Sequence, residues 1–239
     1  MRGIHLVQLP TSLLAMVDSS VGGKVGLDLP EGKNLVGSFL QPRIVVADLG
    51  WLETLPAREL SCGLAEVIKM GLLSGGDYFA DLDRVGAARA RDPEALRALI
   101  RHSVRFKARI VAEDELEKGR RAILNYGHTI GHGLEAAAGY ALPHGEAVSA
   151  GMVAAAHLSR EKLDTDLVAR HEELLRSAGL PLRVPNVETQ KVLSAMGRDK
   201  KRRAGDEYRF VLLEDVGKPL WGVPVGEEEA RQAIGAVVG

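Results

Sequence analysis

From Pro56 onward the chain repeats one pattern: apolar residues at helical spacing, each run bounded by Pro, Asp or Gly. "PARELSCGLAEVIKMGLLSG" opens on a Pro suited to a first helical turn and closes on a Gly pair. In "DPEALRALIRHSVRFKARIVAEDELEKG" Asp92 is the cap candidate, and the spacing predicts a helix of about seven turns. "HTIGHGLEAAAG", "HGEAVSAGMVAAAHLSREKL" and "DTDLVARHEELLRSAG" continue the series, the last opening at an Asp and closing at Gly179. "EYRFVLLEDVGKPLWGV" reads as a hairpin over residues 208–213 and 218–223, and "GEEEARQAIGAVV" closes as a helix. Residues 56–239 are therefore predicted to form a mainly α domain.

Residues 1–55 have a different character. "GIHLVQLP" reads as a short buried strand ended by Pro10, and "RIVVADL" as a second buried strand. "TSLLAMVDSS" between them suits a short helix. "VGGKVGLDLPEGKN" is punctuated by Gly and Pro and leaves little room for a long element. So few strands seldom make a self-sufficient sheet, so this stretch is expected either to be the edge of something missing or to dock on another element.

Composition excludes several classes. The formal net charge of -1 gives no field to recruit nucleic acid or an anionic membrane, and the basic run "RDKKRRAG" is local. A single cysteine, Cys62, rules out an internal disulfide framework and suits a reducing compartment. The chain starts with no signal-like segment, and no apolar run approaches a membrane span. A cytoplasmic location is expected.

Three of the seven histidines fall within "GHTIGHGLEAAAGYALPHGEA", residues 127–147. His128 and His132 lie four apart, on one helical face, where a pair can chelate one ion. A bare pair of this kind is more often a packed core histidine than a ligand. His144, at the start of the next helix, can return to the same place and so favours a metal. Zinc takes imidazole nitrogen and carboxylate oxygen, with an open position where it is catalytic. Glu66 is the best carboxylate candidate, because its neighbours in "CGLAEVIKMG" are apolar or small and a lone charge there is costly. It can equally pair with Lys69 one turn away, and the two roles are compatible.

Lys24, Lys33, Lys69, Lys107, Arg121, Lys200 and Lys201 fall in segments otherwise rich in Gly or apolar residues. Each alone reads as a surface residue. Together, beside a metal site, they suggest an anionic substrate held by Arg forks and Lys point charges. In residues 17–34 the Gly22-Gly23 pair permits close backbone approach to a ligand, and Asp18 and Asn34 are suitable hydroxyl partners.

With these residues assembled, the chain resembles the 3-dehydroquinate synthases. The matching stretches are "QLPTSLLAMVDSSVGGKVGLDLPEGKNLVGSFLQP", "TLPARELSCGLAEVIKMGLL", "RAILNYGHTIGHGLEAAAGYALPHGEAVSAGM" and "GRDKK". The resemblance implies a mainly α metal- and substrate-binding domain at 56–239. Residues 1–55 would be the C-terminal remnant of a Rossmann-like α/β NAD-binding domain. It implies zinc, or cobalt in its place, on Glu66, His128 and His144, which moves His132 from the metal to proton handling. Asp18, Lys24, Asn34, Lys69, Lys107, Arg121, Asn125, His132 and Lys200 or Lys201 would surround an anionic sugar-phosphate substrate. Arg2 would reach the phosphate site of a second subunit in a homodimer. Thr11, Ser12, Lys24, Lys33, Trp51, Leu52, Glu53 and Thr54 would lie on the NAD side, with Ser12 replacing a more usual Thr.

The implied reaction converts 3-deoxy-D-arabino-heptulosonate 7-phosphate to 3-dehydroquinate and phosphate. One departure is large: the family carries a further segment, with the Gly-rich turn for the NAD pyrophosphate, ahead of "MRGIHLVQLP". The chain is therefore expected to be N-terminally truncated, whether from a start placed at an internal Met or as a fragment. Rival readings are another sugar phosphate cyclase, a metal-dependent alcohol dehydrogenase and a zinc-binding remnant without turnover. The dehydrogenases take a His four residues after the acidic ligand, where this chain has Met70.

Overall fold

The computed structural model describes residues 4–29, 32–198 and 207–239, with side chains left aside at 27–35 and at 198. At its centre is α1 (Ala57–Ser74), whose residues from Leu60 to Leu73 are all buried. A helix apolar around its whole circumference needs neighbours on every side, and α1 packs against α4, α6, α3 and α7. Pro56 precedes it, and Gly75, at φ 64°, ends it. The short helices α2 (Gly76–Asp81) and α3 (Val85–Arg89) lead into α4 (Pro93–Glu113). There the Asp92 carboxylate accepts the Ala95 N–H at 2.8 Å, as a helix cap should.

α5 (His128–Ala137) and α6 (His144–Leu163) form a tight pair beside α1, and α7 (Val168–Ser177) and α8 (Thr189–Arg198) close the helical body. The antiparallel hairpin β5–β6 (Tyr208–Asp215, Lys218–Val225) lies on α6, its Leu213 N–H donating to the Ser159 hydroxyl at 3.1 Å. Its turn is pinned to α1 by Gly217 N–H donating to Leu72 O at 2.8 Å. The chain ends in α9 (Glu227–Gly235). This is the mainly α body expected, preceded by a small strand-bearing segment.

Two glycines on α6 set the spacing of the site. A Cβ at Gly145 would collide with the Cys62 backbone of α1, and one at Gly151 would collide with the Gly127 carbonyl at the head of α5. Because these backbones touch, α1, α5 and the N-terminus of α6 converge on one point.

The N-terminal segment differs from expectation in two respects. Residues 3–10 and 43–49 are not buried strands: β1 (Val7–Gln8) and β4 (Ile44–Val45) are two residues each, paired in parallel, with Val7 and Ile44 more than half exposed. An apolar run makes a buried strand only when layers cover both faces, and among the described residues nothing covers these. The Gly- and Pro-punctuated stretch holds the longest strands of the segment, the antiparallel pair β2 (Lys24–Leu29) and β3 (Gly32–Phe39). Gly26 and Gly37 face each other in its register, so the glycines sit where two backbones meet instead of breaking the pairing. The short helix expected in residues 11–20 is present: it is helical from residue 13 and passes into the wide π-turn Ala15–Ser19, with Met16 and Val17 in the core.

Two helices also differ. α4 stops at Glu113 because the Asp114 carboxylate turns the chain, accepting the backbone N–H groups of Lys118, Gly119 and Arg121. α8 was not anticipated. Its buried Val192, Leu193 and Met196 pack toward α5, a short apolar stripe overshadowed by the adjoining basic run.

Candidate metal centre

Glu66 projects from the middle of α1 and is fully buried. His128 opens α5 and His144 opens α6, so both imidazoles stand at helix N-termini, and both aim Nε2 at Glu66 Oε1, at 3.5 and 3.4 Å. One donor atom from each of the three lies within 4.8 Å of the others. Neither Glu66 oxygen makes a hydrogen bond, although Lys69 forms a buried ion pair with the carboxylate from the next turn. A buried carboxylate edge without hydrogen bonds, faced by two imidazole nitrogens, is the donor set of a borderline divalent ion such as zinc. The group therefore fits a metal.

In the ion-free cluster the three groups are tuned differently. Burial pushes the Glu66 carboxyl upward, but Lys69, His128 and His144 outweigh it and hold it well below the usual range. His128 is pulled down to about 3, by burial first and then by Lys69, and is therefore a neutral imidazole ready to coordinate. Burial also lowers His144, but Glu135 and Glu66 raise it to about 9. Both histidines face Glu66, and they differ because His144 has Glu135 as a second carboxylate while His128 has burial and Lys69 against it.

The imidazole of His128 is oriented from behind. Its Nδ1 lies 3.0 Å from the Tyr126 carbonyl, so the N–H points there and Nε2 is left for Glu66. Tyr126 is itself fully buried, with its hydroxyl 2.7 Å from His171 Nε2, and His171 Nδ1 reaches Leu167 O at 2.8 Å. His132 is exposed, with its ring centroid 5.3 Å from that of His128 and 6.3 Å from that of His144. It lies at the mouth of the cluster rather than in its first triad. A second group of three, His132, Glu135 and His144, shares His144.

Lys107 is buried and donates to Asp18 twice, to the carboxylate at 2.7 Å and to the carbonyl at 2.6 Å. Its ammonium is pulled down by burial against the opposing pull of Asp18, and it also feels Lys69 and Glu66, which links this pair to the metal cluster. Lys24 pairs with Glu117, whose other oxygen accepts from Asn125 at 2.9 Å. Arg121 is buried and donates to the carbonyls of Glu115, at 2.5 Å, and Gly22, at 3.0 Å. The close approach expected at Gly22 is therefore made by Arg121.

On the expected dinucleotide side, the Ser12 hydroxyl accepts the Ala15 N–H at 3.2 Å and Thr11 is exposed. Trp51 and Glu53 are exposed on the 3-10 turn Leu49–Glu53, as is Thr54 just after it, but Leu52 is buried in the core with its carbonyl accepting from Arg91. The side chains of Lys33 and Asn34, and the whole of Arg2, Lys200 and Lys201, lie outside the described residues. Met70, where a dehydrogenase-type histidine would stand, is fully buried in the core. Sequence reasoning missed Glu117 and Glu135. Both stand within seven or eight residues of assigned groups; Glu135 is a single acid in the apolar stretch "GLEAAAG", whereas Glu117 is one of several acids in the charged run "EDELEKGRR" and carries no signal of its own.

This helical body, with its convergent carboxylate and two imidazoles, is the fold of the sugar phosphate cyclases. A structure of 2-deoxy-scyllo-inosose synthase complexed with carbaglucose-6-phosphate, NAD+ and Co2+ superposes with TM-score 0.87 at 32% identity, over 98% of this chain and 67% of that one. 2-epi-5-epi-valiolone synthase from Streptomyces hygroscopicus subsp. jinggangensis, with NAD+ and Zn2+ bound, gives 0.84 at 26% identity, over 98% and 66%. Residues 63–202 match the family described as 3-dehydroquinate synthase C-terminal, and residues 1–62 the family described as 3-dehydroquinate synthase N-terminal. A curated 3-dehydroquinate synthase of Acidithiobacillus ferrooxidans is 51% identical over 226 residues, 92% of this chain. The chain belongs to the 3-dehydroquinate synthase family. It spans 61% of that relative's length.

Proposed function

We propose that this chain is the metal- and substrate-binding part of a 3-dehydroquinate synthase, acting on 3-deoxy-D-arabino-heptulosonate 7-phosphate to give 3-dehydroquinate and phosphate. The observation that carries the reading is the convergence of His128 and His144 on the buried, non-hydrogen-bonded carboxylate of Glu66. The likeness to cyclases solved with NAD+ and Co2+ or Zn2+ supports the same cofactors here. When bound, the divalent ion supplies Lewis acidity and the nicotinamide takes up and returns a hydride.

The chain's own residues supply the rest. Glu66, His128 and His144 would hold the ion, and Lys69 offsets the buried carboxylate's charge without occupying the imidazole face. Lys107, fixed by Asp18, is a point charge for a phosphate or carboxylate, while Lys24, Glu117 and Asn125 form a hydrogen-bonding row for hydroxyls. Arg121 ties the Gly22 loop to the turn ahead of α5, shaping the wall of the site. His132, exposed beside the two imidazoles, would carry a proton to and from substrate oxygen. A homodimer and a cytoplasmic location complete the proposal.

The test joins metal binding to turnover. The purified chain should bind zinc one to one, His144→Ala should abolish that binding, and His132→Ala should leave it intact while suppressing phosphate release. Equal metal loss in both variants would sink the ligand assignment. Stoichiometric zinc without phosphate release, with NAD and the heptulosonate phosphate supplied, would restrict the chain to metal holding.

A further inference from the structure

His144 sits between two carboxylates. Its Nε2 faces Glu66 Oε1 at 3.4 Å, and its Nδ1 faces Glu135 Oε1 at 3.5 Å. Each nitrogen therefore belongs to a different candidate triad, Glu66–His128–His144 on one side and His132–Glu135–His144 on the other. A neutral imidazole has one acceptor nitrogen and one N–H, so it can serve only one of the two groups as a ligand at a time.

Three observations decide between them. Glu66 is fully buried with neither oxygen hydrogen-bonded, which favours an ion on that side. His128 is already fixed with its N–H on the Tyr126 carbonyl and its free nitrogen toward Glu66. The other triad relies on His132, which is exposed. Resting on the ion-site reading above, we infer that Glu135 is a positioning residue for His144: it accepts the Nδ1–H and so fixes the tautomer that presents Nε2 to the metal.

Helix geometry makes this role available. Glu135 is seven residues after His128 on α5, so the two share a face two turns apart, and α6 delivers His144 between them. The carboxylate is only 3% exposed, so it keeps a fixed direction and acts in a low-dielectric setting. The two imidazole ligands thus have outer partners of different kinds, a backbone carbonyl for His128 and a carboxylate for His144. A carboxylate partner makes the ligating nitrogen more basic and tightens the bond to a divalent ion.

The test measures zinc and cobalt affinity of the chain by chelator competition, with the cobalt absorption spectrum as a geometric readout. Glu135→Ala should weaken binding about 10- to 100-fold with the one-to-one stoichiometry kept. Glu135→Gln, whose amide oxygen can still accept the Nδ1–H, should recover most of that loss. Thermal melts of the metal-free variants separate this from misfolding, since a merely structural defect would not be rescued in affinity by Gln while the melting temperatures stayed equal. Unchanged affinity in Glu135→Ala would overturn the positioning role. So would complete loss of stoichiometric cobalt in both Glu135→Ala and His132→Ala, which would make them ligands. A wild-type chain that bound neither ion would remove the ion-site reading itself.

Discussion

At the scale of residues, the site is an arrangement of buried charges that are tolerable only together. Glu66 and Lys69 lie one turn apart on α1, both essentially without solvent contact, and each makes the other's burial bearable. Behind them, Tyr126 and His171 form a neutral pair with no solvent contact, and that neutrality has a measurable consequence. Burial pulls the His171 imidazole down from 6.5 to about 4, against the Leu167 carbonyl, which raises it. Between those values the unfolded chain takes up a proton that the folded chain refuses. Stability from this group is thus complete at neutral pH, declines as pH falls through about 6.5, and levels off below about 4, by up to roughly 3 kcal/mol. His171→Gln keeps a partner for the Tyr126 hydroxyl and removes the titration. Urea unfolding of the two metal-free proteins across that window should show a shallower decline for the variant. Parallel curves would mean that His171 is already charged in the fold.

At the scale of elements, the caps and stripes of α1, α4, α5, α6 and α9 were legible because they are short-range: Pro56, Asp92 with Pro93, and the apolar spacing that follows them all act within a turn or two. α8 and the β2–β3 pair were not, since their local signals compete with a basic run and with glycines that punctuate turns elsewhere. The convergence of three helices rests on the smallest residues. Gly151→Ala should press a methyl group against the Gly127 carbonyl, and backbone on both sides leaves no side chain to yield. A loss of about 1–3 kcal/mol is expected from the overpacking alone. Because Gly127 precedes His128, cobalt affinity should fall with stability. A variant that melts and binds like the wild type would show that α5 and α6 can separate at no cost.

At the scale of the whole molecule, the core is one continuous cluster running from Leu13 to Val238, with residues 4–10 outside it. Leu13 is fully buried against α1, while Leu9, four residues earlier, is 64% exposed. Leu13→Ala should destabilise the chain by about 2–5 kcal/mol, and Leu9→Ala should stay within about 0.5 kcal/mol. Denaturant midpoints of the pair check this, and a large loss at Leu9 would place the parallel β1–β4 pair in the core after all. Among the described residues, no helix is long and apolar enough to cross a membrane.

By itself the sequence determined the helical body, its caps and the set of groups from which a metal site can be built. It did so because periodicity, capping and residue chemistry are properties of neighbouring positions. Spacing alone nominated His128 with His132, and the family likeness replaced that pair with Glu66, His128 and His144. Only the tertiary structure decided which nitrogen of His144 meets which carboxylate, because residues 66, 135 and 144 come together through the packing of three helices. The same holds for the two apolar runs near the N-terminus. Their composition suited a buried strand, but burial depends on what is laid across a strand, and that is not written in the strand.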